Sequence, residues 1–260
     1  MSNSPLVVYT KISPNSTNPR RHTIDTITIH SMEGNCSIET CGGIFARPER
    51  RASSNYGIGS DGRVGMYVEE RNRSWCTSSS ANDERAITIE VANNGGGPNW
   101  PISTKAYESL ILLLTDICGR NNIKQLLWRA DKSLIGQITK QNMTVHRWFT
   151  NKTCPGEYLY NLHGDIARRV NKNLRIKEVE NMDFSKLTNE EVDILLARIA
   201  KRLSELPVST YAKGSCERGV KSGLFSDGDK DGLIDNPRGF LLRQELATVL
   251  DRAGLFDKKY

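Results

Sequence analysis

A chain of 260 residues and 29.1 kDa has room for two modest domains or one large one, at about 100 to 200 residues per domain, and for a sizeable core either way. Hydrophobic residues at 37%, charged residues at 25% and a mean hydropathy of -0.49 exclude a disordered or fibrous chain, and the absence of any apolar run near about 18 residues excludes a membrane-spanning helix. Residues 1–175 carry 22 Lys+Arg against 15 Asp+Glu and residues 176–260 carry 14 against 15, so a front balance of +7 meets a rear balance of -1.

A basic front half predicts a polyanionic partner. With no Lys/Arg-rich run interleaved with aromatics and no helix-turn-helix or RNA-binding signature, nucleic acid ranks below an anionic polymer. The opening MSNSPLVVYTKISPNS lacks a charged stretch followed by an apolar one, so the expectation is synthesis in the cytoplasm without a secretory signal. The six cysteines (Cys36, Cys41, Cys76, Cys118, Cys154 and Cys216) then read as free thiols or ligands before disulfides.

Along the chain, residues 24–30 alternate Ile27 and Ile29 with Thr26, Thr28 and His30, the period-2 pattern of a strand that ends with His30 on its polar face. Residues 54–64 (SNYGIGSDGRV) predict a strand closing in a turn at Ser60-Asp61-Gly62. At 86–91 the alternation returns, with Ile87, Ile89 and Val91 on one face and Thr88 and Glu90 on the other. Two strands thus present polar groups from the same side of a sheet. The stretch 93–101 (NNGGGPNWP) is a loop, and 103–118 has helical apolar spacing with Gly119 as its stop. A second helix starts near Pro155 and runs to about Leu174. The front half is therefore an α/β domain, a mixed central sheet flanked by helices.

Beyond Arg175 the pattern changes. Thr188 and Glu191 form a capping box, and two further short helices flank the acidic turn SDGDKDGLIDNPRG, which predicts a small, mainly helical C-terminal domain over 180–260. Asp227, Asp229, Asp231 and Gly232 match the first half of a calcium loop, but Arg238 stands where the bidentate Glu is needed. A capped turn is favoured over calcium binding.

The segment 145–156, VHRWFTNKTCPG, holds His146, Lys152 and Cys154 close together. A catalytic zinc site needs three N, S or O ligands and one open position. His146 and Cys154 supply two, and His30 is placed to supply the third. On spacing alone this reading stands level with a plainer one: a loop histidine, a buried thiol and a surface histidine. His22 and His163 lack partners at metal spacing and read as surface or packing residues. Cys76 and Cys118 read as small buried hydrophobes, and Asn55, Tyr56 and Trp100 as candidates to line a groove for sugar or peptide.

The pieces ITIHSMEGN (27–35), SSNYGIGSDGRV (53–64), WCTSSSANDERAITIEVAN (75–93), PNWPIS (98–103) and HRWFTNKTCPG (146–156) together resemble the zinc-dependent N-acetylmuramoyl-L-alanine amidases related to phage lysozyme and the peptidoglycan recognition proteins, in the form found in clostridial phage endolysins. The resemblance implies one zinc held by His30, His146 and Cys154, with Glu90 as the catalytic carboxylate and Lys152 pointing at the scissile carbonyl. It implies hydrolysis of the amide between N-acetylmuramic acid and the L-alanine of the stem peptide, on the bacterial cell wall, after release from the host cytoplasm. A non-catalytic peptidoglycan-binding protein is the alternative, and retention of Cys154 speaks against it. One branch of the family uses a tyrosine where this chain has Ser54, which gives Glu90 more weight. The C-terminal stretch resembles, more loosely, the S-layer-homology-like repeats attached to many clostridial amidases, which implies wall targeting. No membrane insertion is expected, and the oligomeric state is left open.

Overall fold

The computed structural model describes residues 2–180 and, beyond them, only Thr188, Glu190, Ile194 and Arg198. The predicted C-terminal helices, the capping box as a whole and the aspartate turn at 227–235 lie outside the described residues. Met1–Met182 form one compact unit of the chain.

Among the described residues, eight strands and four α-helices follow in chain order. They are β1 (Val7–Thr10), β2 (Ser16–Thr17), β3 (Thr26–Ser31), α1 (Ile38–Phe45), β4 (Tyr56–Ile58), β5 (Val64–Met66), β6 (Arg73–Ser74), α2 (Ser80–Arg85), β7 (Ala86–Val91), α3 (Thr104–Arg120), β8 (Met143–Thr144) and α4 (Gly156–Glu180). Six strands form one sheet in the order β1-β5-β4-β7-β3-β8, while β2 and β6 pair as a separate antiparallel ribbon. Only β4 and β5 run antiparallel within the main sheet, joined by the predicted turn around Asp61 and Gly62. The sheet is mixed, as the alternation of strands and helices predicts.

At its centre β3 and β7 pair in parallel, residue for residue, from Thr26 opposite Ala86 to Ser31 opposite Val91. One face of this pair is apolar. Ile27, Ile29, Ile87, Ile89 and Val91 enter a core shared with Ala106, Leu110 and Leu114 of α3 and Leu159, Ile166 and Val170 of α4. Burying a side chain of this size contributes about 1.5–3 kcal/mol, so this layer is the main source of stability. Helix α3 starts at the expected place because the Ser103 hydroxyl caps it, accepting from the Ala106 N–H. It runs past Gly119 to Arg120, and α4 likewise continues beyond Leu174 and through Arg175 to Glu180.

The opposite face departs from the half-exposed strand that the alternation predicts. Every residue of β3 is buried, polar ones included. The reason is a buried hydrogen-bond network: Thr28 Oγ1 and Thr144 Oγ1 lie 2.7 Å apart, and Asn82 of α2 bridges both at 3.0 Å. Next to it, Thr88 Oγ1 meets Ser74 Oγ at 2.7 Å. Polar groups in such a layer remain buried because they satisfy one another. Helix α1, whose period sequence reading did not resolve, covers the sheet further along with Cys41 and Phe45 packed on Tyr67.

The N-terminal arm and α3 are locked to the sheet through Glu70. Its fully buried carboxylate takes hydrogen bonds from Tyr56 Oη at 2.6 Å, Arg120 at 2.6 and 2.9 Å and Asn121 at 3.0 Å. Removing one partner of a buried pair leaves the other charge uncompensated. Arg120→Ala is therefore expected to lower unfolding stability by about 3 kcal/mol, read as a reduced urea midpoint with an unchanged slope.

Candidate active site

The site lies at the carboxyl ends of the central parallel strands, where open α/β sheets hold their ligands. His30 is the fifth residue of β3 and is fully buried; its cross-strand partner is Glu90 of β7, which is half-buried. Their neighbour on the far side is Gly57 of β4, which pairs with Glu90. A Cβ on Gly57 would come within 2.5 Å of Tyr67 Oη, so glycine there lets Tyr67 cross the sheet.

His146 arrives from the other edge, in the single 3-10 turn that follows β8. Its ring centroid is 5.0 Å from that of His30. Cys154 comes from the loop before α4, whose first residue, Gly156, adopts φ +81. A Cβ there would press against Trp100 Cβ at 2.9 Å and the Asn99 carbonyl at 3.0 Å. Both constraints select glycine, and the tight turn sets Cys154 against β3. Its Sγ lies 3.4 Å from His30 Nδ1 and accepts from the Ser31 N–H at 3.4 Å.

His30, His146 and Cys154 bring one donor atom each to within 4.8 Å of one another. Two observations fit this set to a metal. His146 Nε2 is buried with no hydrogen-bond partner among the described residues, a state that a cation relieves, and His30 presents Nδ1 at 3.4 Å from Cys154 Sγ. The N2S donor set is that of zinc, whose nitrogen ligands sit at about 2.0–2.1 Å and sulfur at about 2.3 Å, compatible with donors some 3.4 Å apart.

Desolvation governs the charges. Burial, reinforced by the neighbouring His146, holds His30 well below the usual histidine range, and burial with the nearby Lys152 lowers His146. Both rings are thus neutral near pH 7, the form that ligates. Burial, and then the charge of Glu90, pushes the Cys154 thiol well above its ordinary range. It gives up its proton readily only to a cation. Glu90 is raised to about 8, first by burial and then by repulsion from Glu33, with Arg50 opposing. A carboxyl poised there can hold a proton at neutral pH and release it.

The groove above these groups is lined by Ser31, Glu33, Arg50, Trp75 and Cys76 in addition to Glu90, His146, Lys152 and Cys154. Lys152 stands exposed at its rim. Asn55 and Tyr56, expected from sequence to line the groove, are both fully buried and do not line it. Asn55 instead bonds the backbone of Thr88 and Val68, and Tyr56 bonds Glu70. Trp100 is half-buried and packs beside Gly156, supporting the Cys154 turn rather than the groove wall. His163 is a packing residue, buried against Trp128 with Nδ1 on the Leu159 carbonyl. Cys118 is buried in the main core. Cys76 is not the inert hydrophobe its surroundings in sequence suggest: it faces the groove, after a strand too short to show a period.

A donor trio that could hold a metal ion and an isolated carboxyl stand at the carboxyl edge of a mixed sheet in an α/β protein. The profile of the N-acetylmuramoyl-L-alanine amidase family matches residues 20–157, more than half of the chain and all of these groups, and the chain belongs to that family. It is a hydrolase of the amidase class, acting on peptidoglycan. Similar solved structures include a mutant of PlyL, 13% identical over 63% of this chain and 97% of that one with a TM-score of 0.47. The catalytic domain of XlyA is 15% identical over 62% and 97%, with a TM-score of 0.46. The amidase LysC from Clostridium intestinale is 17% identical over 66% and 93%, with a TM-score of 0.43. No curated protein matches the chain significantly.

Glu90 sets a pH signature on the metal-free protein. Its folded value of about 8 lies above the ordinary carboxylate value of about 4.3, so the folded state keeps a proton that the unfolded state gives up between those pH values. Stability contributed by this group is therefore present below about pH 4 and falls as pH rises towards 8. In metal-free protein, Glu90→Gln is expected to gain thermal stability relative to the parent as pH rises from 5 to 8. An identical pH dependence in both proteins would show Glu90 to be an ordinary carboxylate.

Proposed function

We propose that this chain is an endolysin-type N-acetylmuramoyl-L-alanine amidase that uses one zinc ion, held by His30, His146 and Cys154, to cut the amide between the lactyl group of N-acetylmuramic acid and L-alanine. The observation that carries the reading is the convergence of these three donors, from three separate segments, beside the desolvated carboxyl of Glu90. When bound, zinc supplies a Lewis acid that polarises the amide carbonyl and lowers the pKa of a water to about 7.

The chain's own groups perform the remaining steps. Glu90 takes the proton of the attacking water and delivers it to the departing L-alanine amine, the part for which a raised pKa suits it. Lys152 reaches over the groove and offsets negative charge growing on the carbonyl oxygen, a contribution of about 3–4 kcal/mol for a well-placed donor. Ser54 is buried, its hydroxyl on the Tyr56 carbonyl, so it takes no part. Arg50 and Lys152 beside Trp75 and Phe45 give the groove charged and apolar walls, suited to an acidic peptide on a sugar.

Metal analysis of purified protein should find about one zinc per chain, as a three-ligand catalytic site implies, and digestion of cell wall should release new L-alanine N-termini. Cys154→Ser should lose metal and activity together. A metal-free yet fully active Cys154→Ser protein would sink the zinc assignment. Glu90→Gln should retain zinc and lose turnover by about 100-fold or more, and Lys152→Ala should lower turnover with zinc retained.

Residues 1–175 form the amidase domain in this reading and residues 180–260 target the wall. Because α4 runs through Arg175, the fragment to test ends at residue 182. It should cleave purified wall alone but lyse whole cells less well, since the second attachment raises effective concentration. Its charge should hold it to anionic wall only at low salt. Equal wall binding by fragment and full chain at high salt would remove the targeting role.

A further inference from the structure

Cys76 belongs to none of the groups used above, yet its thiol opens onto the same groove. One donor each from Cys76, His30 and Glu90 also lie within 4.8 Å of one another, a second cluster beside the first. Two of its members carry buried atoms with no hydrogen-bond partner among the described residues, Glu90 Oε2 and His30 Nε2. Glu90 has no ion pair among the described residues in the structure, and His30 is fully buried. Unsatisfied polar atoms of this kind call for an occupant. The donor set of nitrogen, thiolate and carboxylate selects zinc and other thiophilic divalent ions over magnesium or calcium.

We propose that Cys76, Glu90 and His30 form a second, weaker cation site that fills only in excess zinc and inhibits the enzyme when filled. Binding breaks the S–H bond of Cys76, sends its proton to solvent and forms a sulfur–zinc bond. The Glu90 carboxylate, engaged with the ion, can no longer accept a proton from water. His30 is common to both clusters: Nδ1 lies 3.4 Å from Cys154 Sγ, and Nε2 is the nitrogen without a partner. An imidazole serving two ions gives up its N–H proton as well. That extra proton, and the repulsion between two dications, makes the second step the weaker one. The proposal rests on the reading that His30, His146 and Cys154 hold the first ion.

The test uses the full chain, with zinc alone as the probe for stoichiometry and cadmium for thiolate absorption. At limiting zinc, parent and Cys76→Ser should each hold about one ion per chain, and in excess zinc the parent should hold about two and Cys76→Ser about one. Cadmium should raise thiolate absorption in two steps in the parent and one in Cys76→Ser. Excess zinc should inhibit the parent, and half-inhibition of Cys76→Ser should need at least about tenfold more zinc, the order expected for a lost ligand interaction. Each protein's own rate at limiting zinc is the reference from which its half-inhibition is read. Equal second-ion uptake and equal inhibition in both proteins would overturn the proposal, as would a parent that never binds more than one ion; either leaves the first site standing. A Cys76→Ser protein that binds no zinc would instead make Cys76 a ligand of the first ion and overturn both readings. Should Cys76→Ser fail to fold, alkylation of the parent decides the matter: Cys76 should be shielded only in excess zinc, and equal labelling at limiting and excess zinc would refute the site.

Discussion

The in-register pairing of β3 with β7 is the constraint on which everything else depends. It sets His30 directly opposite Glu90 while their neighbours Ile29 and Ile89 point into the core with α3 and α4. Because side chains alternate, a slip of one residue would turn the isoleucines into the polar layer and His30 and Glu90 into the core. The apolar face thus enforces the register, and the register builds the site. Burial of the opposite face by the Thr28–Thr144–Asn82 network then removes the water that would otherwise screen the pair.

Desolvation is what turns ordinary residues into reactive ones here. Two neutral histidines, a protonated thiol and a carboxyl raised to about 8 make a metal-free site with little charge of its own. A dication reverses that balance by making the thiolate and the carboxylate favourable. In the proposed zinc site, binding and proton release would accordingly be one event, which acid would weaken. The same low polarity that lets Glu90 hold a proton costs folding stability at alkaline pH, a trade common to sites whose groups are held away from their preferred charge.

Cys154 reaches the site through a different kind of restraint. Nothing periodic places it; a glycine at φ +81, the half-buried Trp100 and the Asn93 side chain holding the Trp100 carbonyl at 2.8 Å fix the turn from outside. Residue 93 in turn accepts from Ser31 Oγ at 2.7 Å, which ties this loop to the end of β3. The loop 93–101 therefore acts as a brace between the segments that carry His30 and Cys154, which explains why an aromatic residue that resembles a substrate platform serves packing.

Sequence alone determined the strands at 26–31 and 86–91 and the helix after Ser103, because period and capping are encoded in neighbours along the chain; His30, His146 and Cys154 it offered on spacing only level with a plainer reading, and the roles of Glu90 and Lys152 only through the family resemblance. It could not say that the polar face of β3 is buried, since that depends on α2 and β8, whose short segments carry no period of their own. Asn55 and Tyr56 looked available for substrate for the same reason: only tertiary packing buries them against Thr88 and Glu70. Cys76 gained its place in the groove from a loop and Arg50 from a short 3-10 turn, where position is decided by what the chain packs against. Identity and order of the reactive groups are local properties. Their distances, exposure and protonation come from long-range burial, and only the folded structure decides those.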